Sequence, residues 1–505
     1  MVSSFCWSCL TRLRQTPRTV LPSPTAVPRG PAFHTSAVRF FPNPMMRKKP
    51  GQELGGPKYR QSKSARMKKK KPVDGKARPP PVGERKALRK RIVLSNPNAL
   101  EVEGMQELTE ETMVDSRLRG NVLALPVPML DQLRAVQAFK PKQGWSIFRR
   151  PGTVLRRETL EMGRLFDNIS GVGEDKGTAV KKIITGSRKS GKSVHLLQAM
   201  AMAFTKKWVV FTVPEAQDLV SATTGYGPLS DENPNLYVQN EATASLLSRT
   251  LIANKTILSK LQVSRIHPAL SAVQPGMTLE NLAKFGVQDP ASSWAVFQAL
   301  WAELTATSAT TGLEKNFTPR PPILVTVDGL AHWMRNSEYR TTEFEPIHAH
   351  DLVFVRHFLS LLKPGKDEST LPNGGALLYA TSTSNNPSIY SFEVALKQVA
   401  ARHAGVDPSA PEFPKLDPYS NPDSRVLEAF ISTKPTSAQE GMLEVQTIGG
   451  VSRDEARGFM EYFARSGLLR ETVNDEWVGE KWTLAGGGVI GELERLGRRL
   501  RVAAA

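Results

Sequence analysis

Lys181-Lys182-Ile183-Ile184-Thr185, followed by Gly186-Ser187-Arg188-Lys189-Ser190-Gly191-Lys192-Ser193, decides how the rest of the chain is read. The second part fits Gly-x4-Gly-Lys-[Ser/Thr], the phosphate-binding P-loop pattern. The first part reads as a short buried strand. Val194–Lys206, rich in Leu, Ala, Met and Gln, reads as a helix. Phosphate binding needs this order: glycines let backbone N–H groups wrap the phosphates, and the helix that follows points its positive N-terminal end at them. Lys192 is expected at the β- and γ-phosphate oxygens and the Ser193 hydroxyl on Mg²⁺. The candidate nucleotide-binding residues are Gly186, Ser187, Arg188, Lys189, Ser190, Gly191, Lys192, Ser193 and Asp328, with Ser193 and Asp328 as the metal ligands. His195, next on the helix, reads as a packing or surface residue.

A phosphate loop of this kind also needs a carboxylate at the end of a second buried strand. Pro322-Ile323-Leu324-Val325-Thr326-Val327-Asp328 supplies it, and its unbroken β-friendly run suits a strand covered on both faces. The position after Asp328 is Gly329, where many hydrolysing ATPases carry a second acid. No other base is evident from spacing, so nucleotide binding with slow or absent hydrolysis is expected and no catalytic residue is assigned. Two more strands read at Trp208–Val213 and Gly375–Ala380. The polar run after the second offers Thr381 or Asn385 as a γ-phosphate sensor, because ligands bind beyond the carboxyl ends of strands in open α/β sheets.

Several motifs lead nowhere. Asn254-Lys255-Thr256-Ile257 lacks the Asp of a guanine-specificity motif and lies in a helical stretch. Gly486-x-Gly488-x-x-Gly491 matches a dinucleotide fingerprint, but too little chain follows for a second strand and a ribose-binding acid, so it reads as a turn into the last helix. The only cysteines, Cys6 and Cys9, form a Cys-x-x-Cys with no second ligand pair.

The chain has 505 residues, 40% hydrophobic, with a formal net charge of +19. The charge is concentrated: residues 1–93 hold 23 of the 67 Lys and Arg but only 3 of the 48 acidic residues, which leaves the remainder almost neutral. No apolar run approaches the roughly 20 residues of a membrane span. Residues 1–40 are Arg- and Ser-rich with no acid, as in a mitochondrial transit peptide, and Arg29–Ala37 resembles the cleavage region of fungal mitochondrial precursors. Residues 41–93 carry Arg47-Lys48-Lys49, Lys68-Lys69-Lys70-Lys71 and a Pro79-Pro80-Pro81 break. This segment is too polar to fold alone, and its charge suits RNA.

Residues 94–175 read as a lead-in that packs on the core. Arg149-Arg150 and Arg156-Arg157 there suit either RNA contact or a charged surface. Residues 176–400 read as the nucleotide-binding domain, with 215–320 mainly helical and Leu261–Val287 inserted on the sheet. Residues 401–505 read as a helical, winged-helix-like domain. In it Ser452-x-x-Glu455 is a capping box, Leu468–Glu471 and Lys481–Leu484 form a hairpin, and Gly491–Val502 is the last helix. The expected fold class is therefore α/β: a P-loop NTPase core (AAA+/STAND-like) with a parallel sheet, a C-terminal helical domain and a disordered basic arm.

Three segments together resemble one family: the P-loop, its lead-in Lys142-Gln143-Gly144-Trp145-Ser146-Ile147-Phe148-Arg149-Arg150-Pro151, and the tail Glu480-Lys481-Trp482-Thr483-Leu484-Ala485-Gly486-Gly487-Gly488-Val489-Ile490-Gly491. The family is that of death-associated protein 3, the P-loop protein of the mitochondrial small ribosomal subunit, and the likeness covers about residues 120–500. The resemblance implies a structural place in the head of that subunit, in the mitochondrial matrix. It also implies contacts with ribosomal RNA, neighbouring ribosomal proteins and the large subunit, and a bound GTP or GDP with Mg²⁺; the residues themselves also allow ATP. The long basic arm has no counterpart that we can match. The competing readings are a free matrix P-loop NTPase acting as a nucleotide-dependent switch, and an RNA-binding regulator that does not reside on the ribosome.

Overall fold

The computed structural model describes residues 92–141, 143–171, 177–230, 233–310, 315, 317–363, 371–382, 388–430 and 443–499. The transit-peptide reading of 1–40, the basic arm as far as residue 91, Lys142 and Asn385 lie outside the described residues.

Five strands form one parallel sheet: β1 (Ala179–Gly186), β2 (Val209–Val213), β3 (Ile323–Asp328), β4 (Gly375–Ala380) and β5 (Leu443–Ile448). Their spatial order is β5-β1-β4-β3-β2. The register aligns their carboxyl ends, with Ala380 of β4 opposite both Ile184 of β1 and Asp328 of β3.

The strand sequences explain the burial. In β3, Ile323, Val325 and Val327 enter one apolar cluster and Leu324 enters another, so alternate side chains serve opposite faces of the sheet. A strand buried on both faces is apolar at nearly every position. Thr326, the polar exception, is fully buried and hydrogen-bonds Thr212 of the neighbouring strand at 2.9 Å.

One face is covered by helices α2 (Arg157–Ser170) and α3 (Lys192–Thr205). Helix α1 (Val127–Ala135) adds Met129 and Leu133 to the same cluster. The other face is covered by α4 (Asn240–Ala253), α5 (Leu279–Gln288), α6 (Ser293–Leu304), α7 (Val353–Leu362), α8 (Tyr390–His403) and α9 (Ser424–Phe430). Helix α3 is buried from Leu196 through Phe204, which accounts for its apolar character all round.

The stretch expected to be mainly helical, 215–320, also contains an antiparallel ribbon, Gly227–Ser230 with Asn233–Val238. Leu261, Val263, Leu270, Leu279 and Leu282 of the expected insertion pack into the large core cluster.

Beyond β5 the chain forms α10 (Arg453–Arg465), α11 (Asp475–Leu484) and α12 (Ile490–Arg499) around a third cluster that includes Met460, Phe463, Val478 and Leu493. The capping box is formed: the Ser452 side chain accepts from Glu455 N–H, and the Glu455 carboxylate accepts from Ser452 N–H. The expected hairpin is not. Lys481–Leu484 is the last turn of α11, whose first turn is capped by the Asn474 side chain accepting from Trp477 N–H at 2.8 Å. An N-cap with Asp475 and Glu476 in the first turn outweighs the strand-like alternation of Trp482 and Leu484.

Candidate functional site

The Gly186–Ser193 loop joins the end of β1 to the start of α3. Gly186 lies at φ 144°, and a Cβ there would stand 2.3 Å from the Ile448 carbonyl oxygen of β5, so the close approach of two strands requires glycine. Gly191 lies at φ 102°, immediately before the helix. Lys189 is also left-handed, at φ 65°. Side chains rarely adopt that backbone unless their surroundings impose it.

Lys192 curls back over the loop and donates to the carbonyl oxygens of Gly186 and Ser187, both at 2.8 Å. Burial pushes its ammonium below the usual lysine range, and the Asp328 charge opposes this. Asp328 ends β3 two strand positions from the loop. Burial raises its carboxyl pKa, against the pull of Lys140 and of a hydrogen bond from Ser193. The Ser193 hydroxyl and the Asp328 carboxylate, read from separate motifs, are thus brought together. Ser190 is fully buried, and its hydroxyl has no hydrogen-bond partner among the described residues.

Gly329 has a backbone reason. It sits at φ 92° and donates its N–H to the Ala380 carbonyl at 2.9 Å. A second acid there would strain the turn. Thr381 is buried, and its hydroxyl donates to the Ile184 carbonyl at 3.3 Å, so its hydrogen bond is directed to β1.

Spacing did not reveal three contributors. The first is Lys140, which donates to the Pro214 carbonyl, lies 2.7 Å from a Glu215 carboxylate oxygen and 3.7 Å from Asp328. The second is Arg156. It donates to the Ser190 carbonyl at 2.8 Å and to the Gly449 carbonyl at 2.9 Å, tying the loop to the segment after β5. Of the arginine pair, Arg156 is buried whereas the Arg157 side chain is 65% exposed. The earlier pair is divided too: Arg149 donates to Pro97 O at 3.0 Å, and Arg150 pairs with Glu107.

The third contributor is the glycine-rich turn. Gly486, Gly487 and Gly488 all lie at positive φ and lead into α12, as expected of a turn. The first turn of α12, which follows it, packs directly on the loop. Gly491 N–H donates to the Lys189 carbonyl at 3.1 Å, Lys189 pairs with Glu492 at 2.7 Å, and a Cβ at Gly491 would stand 2.7 Å from the Lys189 Cβ. Of the three glycines that resemble a nucleotide fingerprint, Gly488 and Gly491 therefore serve close packing and Gly486 a left-handed turn.

The other decoy is also structural. Asn254 is fully buried and clamps β2, accepting from Val210 N–H at 2.9 Å and donating to Val210 C=O at 3.0 Å. His195 is enclosed within α3, and burial lowers its imidazole pKa to about 4, so it is a neutral packing residue.

Among the described residues no cluster of three or more His, Cys, Asp or Glu side chains could hold a metal. Ser193 and Asp328 supply two oxygens only. That suits Mg²⁺, which is commonly held by one or two protein groups together with phosphate oxygens and water. No helix among the described residues is long and apolar enough to cross a membrane.

A family model described as mitochondrial ribosomal death-associated protein 3 matches residues 153–496. The chain is also similar to the small ribosomal subunit protein mS29 of Neurospora crassa, with 42% identity over 431 residues, 85% of each chain.

Proposed function

The chain belongs to the mitochondrial ribosomal death-associated protein 3 family and is a component of the mitochondrial small ribosomal subunit, and we propose that it holds a purine nucleotide with Mg²⁺ there as a structural ligand. The observation that carries the nucleotide reading is the meeting of Ser193 and Asp328 at the mouth of a glycine loop between a buried strand and a helix. The β5-β1-β4-β3-β2 order supports it, since it leaves only β4 between the loop strand and the carboxylate strand and brings both carboxyl ends to one side of the sheet. In this reading the backbone N–H groups of Gly186–Ser193 and the Lys192 ammonium bind phosphates, while Ser193 and Asp328 hold the metal.

The family resemblance favours GTP or GDP, with ATP as the alternative. The basic arm, 41–93, supports contact with ribosomal RNA, because the rest of the chain is nearly neutral. The family placement supports contacts with neighbouring ribosomal proteins, and in this reading the chain also meets the large subunit. Hydrolysis is slow or absent in this account. Gly329 is reserved for a turn, and the acid nearest Asp328 through Lys140, Glu215, is engaged by that lysine.

The test is thermal unfolding of the full chain with and without GTP·Mg²⁺ or ATP·Mg²⁺. A ligand at about 100 times its Kd stabilises the native state by roughly 2.7 kcal/mol. The wild type should melt several degrees higher with one of the nucleotides, and Lys192→Ala should lose most of that increment. A wild type that melts at the same temperature with either nucleotide would contradict the reading.

A further inference from the structure

Lys140 comes from the lead-in, outside both the glycine loop and the stretch matched by the family model. Its position is fixed by its neighbours. Phe139 and Trp145 are buried and meet edge-to-face with centroids 5.1 Å apart. The Gln143 side-chain oxygen accepts from Lys140 N–H at 2.8 Å and from the Trp145 indole N–H at 2.6 Å. The lysine stem therefore leaves a pinned turn, and its side chain is only 17% exposed.

The ammonium reaches the carboxyl ends of two strands. It donates to Pro214 O and Glu215 after β2, and stands 3.7 Å from Asp328 at the end of β3, too far for a hydrogen bond. An ammonium has three donors, so one is left for a ligand beside Asp328. Ser193 faces the same Asp328 carboxyl group. Two lysines, Lys140 and Lys192, thus face two carboxylates, Asp328 and Glu215, across the same edge of the sheet. A site prepared for a metal ion alone would leave its carboxylates unpaired. One that already carries two ammonium groups is prepared for a polyanion.

We propose that Lys140 is a further nucleotide-binding residue, donating to a terminal phosphate oxygen beside the Ser193–Asp328 pair and sharing with Mg²⁺ the neutralisation of that phosphate. This rests on the nucleotide reading above. Its consequence is that nucleotide retention depends only weakly on Mg²⁺, because a tethered cation remains when the metal is removed. A purely structural Lys140, stitching the lead-in to the sheet, would affect folding and leave metal dependence alone.

The experiment measures GTP and ATP binding by the full chain in excess Mg²⁺ and in EDTA, for the wild type and for Lys140→Met, which keeps most of the apolar stem. A charge-assisted hydrogen bond corresponds to roughly tenfold or more in affinity. Lys140→Met should lose about that factor relative to wild type in EDTA and less in Mg²⁺, beyond the lower nucleotide-free melting temperature that loss of its bonds to Pro214 and Glu215 brings. Equal affinities for the two proteins under both conditions would overturn the proposal, as would a lower nucleotide-free melting temperature with wild-type metal dependence. If Lys140→Met does not fold, Lys140→Gln keeps a donor for Pro214 O, removes the charge, and carries the same expectations. A wild type that binds neither nucleotide in Mg²⁺ would instead bring down the nucleotide reading and this proposal with it.

Discussion

The Gly186–Ser193 loop is supported by two regions that differ in what holds them together. The sheet supports it through β1 and α3, in a core where Val209, Val210, Phe211, Leu324 and Val325 are all fully buried. The C-terminal helices, built around a smaller cluster, support it through the Gly491 N–H bond to the Lys189 carbonyl, while Arg156 ties Ser190 of the loop to Gly449 ahead of them. The Lys189–Glu492 ion pair between loop and helix is more than a third exposed at both partners. Pairs of that kind contribute little to stability. What seats α12 on the loop is close approach, possible because Gly491 lacks a side chain. The sheet resists by collective burial, whereas the C-terminal contact depends on a few atoms.

The largest effect expected from this contrast is in the sheet. Phe211 packs edge-to-face on Phe297 at 6.2 Å and is fully buried, so Phe211→Ala should cost about 3–5 kcal/mol. Denaturant unfolding followed by tryptophan fluorescence and circular dichroism should show one transition moved to lower denaturant. If only the C-terminal helices were lost, the sheet would not be the dominant unit.

A smaller effect is expected from Gly491→Val, about 1–3 kcal/mol, because the new side chain overlaps Lys189. Hydrogen exchange should quicken over 449–499 and in the loop while β2, β3 and β4 stay protected. Equal quickening throughout would mean that the two regions unfold as one.

The same contrast explains which parts were legible in sequence. The runs Ile323–Asp328 and Gly375–Ala380 read directly as strands because both faces of each are buried, so almost every residue is apolar. The glycine loop and its helix were legible because their backbone needs are local. Strand β5 was not. It is an edge strand in which Glu444, Val445 and Gln446 are all only partly buried, with Glu444 paired to Lys182 at 2.9 Å. Its membership of the sheet depends on the partner strand rather than on its own pattern.

The hairpin expected of Leu468–Glu471 and Lys481–Leu484 failed because the Asn474 cap and the first-turn acids Asp475 and Glu476 commit the second segment to a helix. Lys140 and Arg156 carried no local signal either. Each acts on a group far away in the chain, and only packing reveals which of two adjacent arginines turns inward.

The most direct test of the account is to separate mitochondrial small subunits on a sucrose gradient at high salt with Mg²⁺, and to identify the nucleotides released from the small-subunit peak by acid. The account predicts that this chain co-migrates with the subunit, and that a purine nucleotide is recovered from wild-type subunits but not from those carrying Lys192→Ala. Migration of the chain in the light fractions would contradict the ribosomal placement, and a small-subunit peak containing the chain without any purine nucleotide difference between the two proteins would contradict the structural-ligand claim.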